Sequence, residues 1–335
     1  MFDLHQHKTQ ALYFQSSYER LKERIHHAAP DLDVAVIDDV GKIFHQGKEV
    51  AAEKLHPDYF WIHSELFKSP ILKDYFRLIG EYHQAKWLHT INTGLDIGPY
   101  QDLLHKNIRI TNNHSQAIAI AEYVMARVLN LFQQLPVYRE NQSSHTWQYK
   151  SFREIQHTHW AIIGFGHIGQ QIARRAKSFG VKITAVRRGK SDEGLADNVT
   201  TQDKMIPYLQ EADVVVLACA SNDSTRDMVN QDFLGNMKKD SVLVNVARGD
   251  LVIEDDLKSA LDAASPAHAI LDVFRNEPLP EDAWFWDHPA VTMTPHCSNG
   301  GSGMRARSDD LFIENLYRIS NGQLLLNEVS ERDIA

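Results

Sequence analysis

The chain predicts an α/β protein built from two doubly wound units, and three observations carry that expectation. Short apolar runs of strand length alternate with segments of helical spacing through both halves of the sequence. Residues 159–180 read as a buried strand that runs through spaced glycines straight into a helix. Finally, 335 residues is enough chain for two domains, each with its own core.

In the first hundred residues, 11–14, 34–37, 59–62 and 87–91 have the composition of short buried strands. Segments 18–28 and 73–83 carry helical spacing between them, so this part is expected to form a small parallel α/β unit of its own. After Thr93-Gly94-Leu95-Asp96 the pattern changes to a long helix over 115–135, opened by Asn113 or Ser115 and ended at Pro136. It is apolar on nearly every side and must be buried between layers or between subunits. It reads as the crossing into the second domain and as part of a dimer contact.

The segment His159-Trp160-Ala161-Ile162-Ile163-Gly164-Phe165-Gly166-His167-Ile168-Gly169 holds a G-x-G-x-x-G turn between a strand and a helix. Spaced glycines alone also mark ordinary turns; the strand before and the helix after supply the context of a dinucleotide-binding signature. Gly164 permits the tight turn, Gly166 lets the backbone approach a pyrophosphate, and Gly169 lets the helix sit close on the sheet. The helix N-terminus, where His167 and Ile168 stand, offers N–H groups and a positive dipole end to the phosphates. Ile172, Ala173 and Ala176 keep helical spacing up to Gly180, where a left-handed cap is expected.

The next strand, 181–186, ends where an acidic residue would hydrogen-bond the ribose hydroxyls of NAD. Arg187 and Arg188 stand there instead, followed by Lys190 and Ser191. Guanidiniums offer fork-shaped donors to a 2′-phosphate, so NADP is the expected cofactor, with NAD possible. The alternative is that two arginines simply solvate a strand end. Further core strands are expected at 213–219, 242–246, 267–271 and 291–294. An amphipathic helix over 305–320, with Leu311, Phe312, Leu316 and Ile319 as its stripe and Gly322 as its stop, is expected to fold back on the N-terminal domain.

Bulk properties narrow the function classes. A formal charge of −9 without a basic block argues against nucleic acid. The longest apolar run, 214–220, is too short to cross a membrane, and the polar first ten residues do not resemble a secretion signal. Only Cys219 and Cys297 are present, which fits a reducing compartment such as the cytoplasm. Among 18 histidines, the pairs His5/His7, His26/His27 and His157/His159 lie near no Cys or carboxylate at ligand spacing, so no metal is expected.

Three segments at predicted strand ends could carry chemistry, because ligands of doubly wound sheets sit there. They are Asn245-Val246-Ala247-Arg248-Gly249-Asp250, the stretch from Leu271-Asp272-Val273-Phe274 to Glu277-Pro278-Leu279-Pro280, and Thr294-Pro295-His296-Cys297-Ser298. Together they offer a guanidinium, a carboxylate and an imidazole. Singly, each has an ordinary structural reading.

With these segments, the glycine turn and the tail pattern Asn315-Leu316, Arg318, Gly322, Leu325 and Asn327, the chain resembles the D-2-hydroxyacid dehydrogenase family over residues 94–329. That group contains glyoxylate/hydroxypyruvate reductases and D-lactate and D-phosphoglycerate dehydrogenases. The resemblance implies a Rossmann cofactor domain over 113–301 and a smaller flavodoxin-like α/β substrate domain from 1–112 and 302–335. It makes His296 the acid/base, Glu277 its hydrogen-bonded partner and Arg248 the clamp on the substrate carboxylate. It places Asp272 against the nicotinamide carboxamide, puts Cys219 and Ala247 beside the cofactor, and gives the substrate carboxylate backbone N–H groups around Thr93 and Gly94.

The implied activity is reduction of a small 2-oxo acid, glyoxylate or hydroxypyruvate first, in an interdomain cleft of a homodimer. The residue types suit it: hydride on the carbonyl carbon leaves charge on oxygen, and an imidazolium beside a carboxylate can deliver a proton there. Two departures from the family stand out. Arg187 replaces the usual acid, and Ala220 replaces a proline within Cys219-Ala220-Ser221-Asn222. Cys297 has no base beyond His296 to make it a nucleophile. Substrate discrimination is expected from the N-terminal domain, around His63 and Ser64. The alternatives are a formate- or phosphite-oxidising relative, the formate version disfavoured by Glu277, and a nucleotide-sensing corepressor-like protein without turnover.

Overall fold

The computed structural model describes residues 8–95, 98–188 and 194–329. Asp96, Lys190, Ser191 and the His5/His7 pair lie outside the described residues. The chain divides into one unit of residues 1–115 and 305–335 and a second of residues 116–304, each holding a seven-stranded sheet.

The strands of the first unit are β1 (Gln10–Phe14), β2 (Asp33–Ile37), β3 (Ile43–His45), β4 (Lys48–Val50), β5 (Tyr59–Ile62), β6 (Trp87–Thr90) and β7 (Arg109–Thr111). Their order is β4-β3-β2-β1-β5-β6-β7, and the five strands from β2 to β7 in that order run parallel. Without β3 and β4 this is the 2-1-3-4-5 order of flavodoxin-like sheets. Side chains alternate between two buried faces: Leu12, Phe14, Phe60, Ile62 and Leu88 on one, and Ala11, Tyr13, Tyr59, Trp61 and Trp87 on the other. The helix Met304–Ser320 covers the second face, where Phe312 stacks on Trp61 with centroids 3.9 Å apart.

The antiparallel hairpin β3–β4 is an addition that the apolar pattern did not announce. Its two turn residues, Gln46 and Gly47, both have positive φ (51° and 77°), the backbone of a tight two-residue hairpin turn. Glutamine is an uncommon first residue for that turn, so the sequence signal is weak.

The second unit contains β8 (His159–Ile163), β9 (Lys182–Val186), β10 (Asn198–Thr200), β11 (Val214–Leu217), β12 (Val242–Asn245), β13 (His268–Leu271) and β14 (Val291–Met293). All pairs are parallel, in the order β10-β9-β8-β11-β12-β13-β14. This is the 3-2-1-4-5-6 Rossmann order with one more strand. Trp160, Ile162, Val214, Val216 and Val244 form a core with Ile120, Val124 and Val128 of the helix Ala117–Phe132, while Ala161, Ile163, Val215 and Leu217 build the core on the other face.

That helix is therefore an inner layer of the second unit. Pro136 does not end it: Gln134 breaks the path with φ +55°, and Pro136 sits in the first turn of another helix, Leu135–Ser143. Proline is tolerated there because first-turn N–H groups have no intrahelical partner. Large apolar side chains at Leu135, Trp147, Tyr149 and Phe152 are exposed in the segment that follows the apolar helix.

Candidate active site

At the carboxyl end of β8 the glycine turn is shaped by what glycine lacks. Gly164 has φ +94°, and a Cβ there would stand 2.5 Å from the backbone of Ala218 and Cys219 at the end of β11. A Cβ on Gly169 would meet the Gly164 carbonyl oxygen at 2.3 Å. A Cβ on Gly166 would have no heavy atom within 4 Å among the described residues, so this position faces open space. Gly166 is the N-cap of the helix His167–Lys177 and has no side chain with which to cap it. The turn thus joins two places where only glycine fits to a helix end whose N-cap carries no side chain, the cradle a phosphate needs.

The Gly164 N–H donates to the Val186 carbonyl at 2.9 Å, so the chain leaves β9 beside the glycine turn. Arg187 and Arg188 follow at once; Arg187 is half-buried, its N–H donating to the Thr200 carbonyl at 3.0 Å, and Arg188 is exposed. Cys219 follows β11, partly buried, and burial pushes its thiol up to about 11, so it stays a neutral thiol.

Three neighbouring parallel strands, β12, β13 and β14, send their loops off one sheet edge. Buried Asn245 shapes the first loop, accepting from the Ala247 N–H at 3.0 Å and donating to the Arg248 carbonyl at 2.9 Å. Arg248 is half-buried, and its Nη1 donates to the Ala247 carbonyl at 2.8 Å. The next residue, Gly249, lies flush on the neighbouring loop: a Cβ there would fall 1.9 Å from the Phe274 carbonyl carbon. The loop carrying Arg248 is thereby seated on the loop carrying Glu277, a constraint the sequence did not announce because its partner lies 25 residues away.

His296 and Glu277 meet directly. The imidazole Nδ1 lies 2.8 Å from Glu277 Oε2, and the Phe274 N–H fixes the other carboxylate oxygen at 2.9 Å. Nδ1 donates in this pairing, which leaves Nε2 as the outward nitrogen of a ring that is 44% exposed. Asp272 is fully buried, and its carboxylate accepts from Thr294 Oγ1 at 2.6 Å, the Cys297 N–H at 2.9 Å and the Ser298 N–H at 3.0 Å. In this arrangement Asp272 organises the loop that carries His296, a role the sequence reading did not give it.

Thr93 and Gly94 belong to the first unit, in a loop after β6. Thr93 Oγ1 donates to the Asn113 carbonyl at 2.6 Å, and Asn112 Nδ2 donates to the Thr93 carbonyl at 2.9 Å. The idea that His63 lines a discriminating pocket needs correction. Its side chain is 0% exposed, within 3.3 Å of Asp309 and 3.4 Å of Arg20, so it belongs to an internal polar network. Among the described residues no three His, Cys, Asp or Glu side chains gather as a metal site would, and no helix is long and apolar enough to cross a membrane.

Comparison with known proteins agrees with this geometry. Residues 125–298 match the family model described as the D-isomer specific 2-hydroxyacid dehydrogenase NAD binding domain. A Corynebacterium melassecola protein, described as an uncharacterized protein in the proB 3′ region, is 40% identical over 170 residues, 50% of this chain and 56% of its own length. Glyoxylate/hydroxypyruvate reductase A of Yersinia enterocolitica is 30% identical over 182 residues, 54% of this chain and 58% of its own length. The chain thus spans little more than half the length of these curated relatives. A solved D-isomer specific 2-hydroxyacid dehydrogenase family protein from Aeromonas salmonicida aligns with a TM-score of 0.77 and 27% identity, covering 96% of this chain and 99% of that one.

Proposed function

This chain belongs to the D-isomer specific 2-hydroxyacid dehydrogenase family, and on that premise we propose that it reduces a small 2-oxo acid of the glyoxylate or hydroxypyruvate kind to the D-2-hydroxy acid, with NADPH preferred. The observation that carries the reading is the His296–Glu277 pair, 2.8 Å apart beside the loop of Arg248.

The residues present fit a dinucleotide. The glycine cradle and the end of the helix His167–Lys177 suit the pyrophosphate, Arg187 and Arg188 suit a 2′-phosphate, and Cys219, Ala247 and Asp272 follow β11, β12 and β13, the strand ends beside which the nicotinamide would lie. When bound, a reduced nicotinamide supplies the hydride. Arg248 grips the substrate carboxylate through two parallel hydrogen bonds and fixes the carbonyl for attack. His296 Nε2 gives a proton to the carbonyl oxygen as charge builds there, so the 2-oxo acid gains one hydride and one proton. Glu277 keeps the ring turned so that Nε2 faces outward, and the Phe274 N–H keeps Glu277 in place.

A carboxylate as the partner of His296 favours this chemistry over formate oxidation. The expected homodimer is proposed to form over the exposed apolar segment with Leu135, Trp147, Tyr149 and Phe152, because the second unit already buries the apolar side of the helix Ala117–Phe132. The two free thiols suit the reducing cytoplasm, where we place the protein.

The test follows the absorbance of NADPH and NADH with the purified protein against a panel of small 2-oxo acids. Turnover with glyoxylate or hydroxypyruvate is expected, with the larger kcat/KM for NADPH. His296→Ala should cut turnover by about a thousandfold with NADPH affinity retained. Wild-type protein that turns over no 2-oxo acid, or a variant with near-normal activity, overturns the reading.

A further inference from the structure

His296 holds a left-handed backbone with φ +48°, a conformation uncommon for a residue with a Cβ and one that persists where the surroundings impose it. Asp272 is the main neighbour that holds it there. The His296 N–H is shared between the Asp272 carbonyl at 2.8 Å and the Thr294 carbonyl at 3.0 Å, and the next two N–H groups, of Cys297 and Ser298, donate to the Asp272 carboxylate at 2.9 and 3.0 Å. Asp272 is the post around which this part of the loop is wound.

What steadies the post reaches back to a different element. Thr294 Oγ1 lies 2.6 Å from Asp272 Oδ1 and 2.6 Å from the phenol oxygen of Tyr123. A carboxylate can only accept and a hydroxyl has one proton, so Thr294 donates to Asp272 and must accept from Tyr123. Tyr123 lies on the helix Ala117–Phe132, among neighbours Ile120, Val124 and Met125 that pack as plain apolar groups. Arg127, one turn on, places its guanidinium 5.0 Å from the Tyr123 ring centroid. Burial pushes the Tyr123 phenol up, so it remains a protonated donor.

We propose that Tyr123 is a positioning residue for the reaction: its hydroxyl, acting through Thr294 and Asp272, fixes the loop that presents His296 to the substrate. The inference rests on the reductase reading for the role of His296, but the hydrogen-bond chain is a statement about this protein whatever its substrate. Tyr123 touches neither substrate nor hydride; it sets where the imidazole stands. A misplacement of a fraction of an ångström is enough to slow proton transfer. The groups facing the ring and its support are Glu277 on Nδ1, Asp272 beneath the loop and Arg127 beside Tyr123.

The experiment compares Tyr123→Phe, Thr294→Val and Thr294→Ser with the wild type in two readouts. The first is the steady-state split of kcat and KM. The second needs no substrate: the NMR titration of the His296 ring proton, identified by its absence in His296→Gln. Removing either link, in Tyr123→Phe or Thr294→Val, should lower kcat about tenfold with cofactor KM unchanged, and should shift the His296 titration. Thr294→Ser, which keeps the hydroxyl, should restore both. A Tyr123→Phe protein with wild-type kcat and wild-type titration overturns the proposal, as does a Thr294→Ser protein as impaired as Thr294→Val. Should the wild type turn over no 2-oxo acid, the reductase reading fails and the titration alone decides the positioning chain. Should Thr294→Val not fold, Tyr123→Phe decides it.

Discussion

The two sheets each reverse their strand order once, between β1 and β5 in the first unit and between β8 and β11 in the second. Topology therefore offers a crevice beyond the strand ends at both places. The first is filled by the chain itself. Ser16 and Ser17, just past β1, donate to Glu65, just past β5, at 2.9 and 2.8 Å, while Arg20 and His63 converge on Asp309 from the tail helix. The second is framed by missing side chains: Gly164 and Gly169 let backbones touch, and Gly166 leaves open space. Topology supplies the place for a ligand, and the side chains at the reversal decide whether the place is kept open.

The comparison breaks most visibly where a methyl group is added to the open crevice. Gly164→Ala puts a Cβ 2.5 Å from the backbone of Ala218 and Cys219, at a φ of +94°. Neither strand end is a flexible side chain that could swing away, so overpacking and left-handed strain add. A loss of about 3 kcal/mol is expected from the urea midpoint. A loss under about 0.5 kcal/mol would mean that β8 and β11 do not need to close around this glycine.

In the filled crevice the costly change is removal of a charge. Burial works to raise the Asp309 carboxyl, but hydrogen bonds from His63 and Arg20 outweigh it and hold the group below the ordinary carboxylate value. Asp309→Asn leaves the Arg20 guanidinium short of a counter-charge and should cost about 2 kcal/mol at pH 7. The sign of the pH dependence follows from linkage. A carboxyl whose folded pKa is depressed stabilises the fold above its unfolded value near 4, and this contribution is lost as pH falls through the folded pKa. The gap between wild type and Asp309→Asn should therefore be widest at neutral pH and narrow below about pH 4. A constant gap across that range would mean that shape, not charge, fills the first crevice.

How much of this was legible in the sequence follows the range of the forces involved. The glycine turn could be read because each glycine answers a local steric demand, and the strands because both of their faces are apolar. His296, Glu277 and Arg248 could be singled out as residue types at strand ends, but only the family resemblance paired them, because 19 positions separate the imidazole from its carboxylate. Gly249 looked like part of a loop; its necessity comes from the Phe274 backbone pressed against it. Tyr123 was hidden inside an apolar helix, where one hydroxyl leaves no trace in the periodicity. His63 misled for the converse reason: a histidine after a strand suggests a ligand, and only the fold brings Asp309 to it from a distant part of the chain.

The smallest effect on folding separates the two crevices most sharply. Gly166 has φ −82°, a value any residue can adopt, and a Cβ there meets nothing within 4 Å among the described residues. Replacing it with serine puts a good capping side chain at the head of the helix His167–Lys177, where its oxygen can accept from the N–H groups of the first turn. Folding stability should change by less than about 0.5 kcal/mol, because serine and glycine differ little at this position. Those same N–H groups are what a pyrophosphate would use, and the added hydroxymethyl occupies the space through which it approaches. Gly166→Ser should therefore lower NADPH affinity by about tenfold or more, the equivalent of losing one charge-assisted hydrogen bond, in a fluorescence titration. A variant that folds normally and binds NADPH as the wild type does would show that the phosphates lie elsewhere. If affinity falls while the melting curve stays put, the space beside Gly166 is reserved for a ligand, just as the space beside Asp309 is reserved for the protein's own charges.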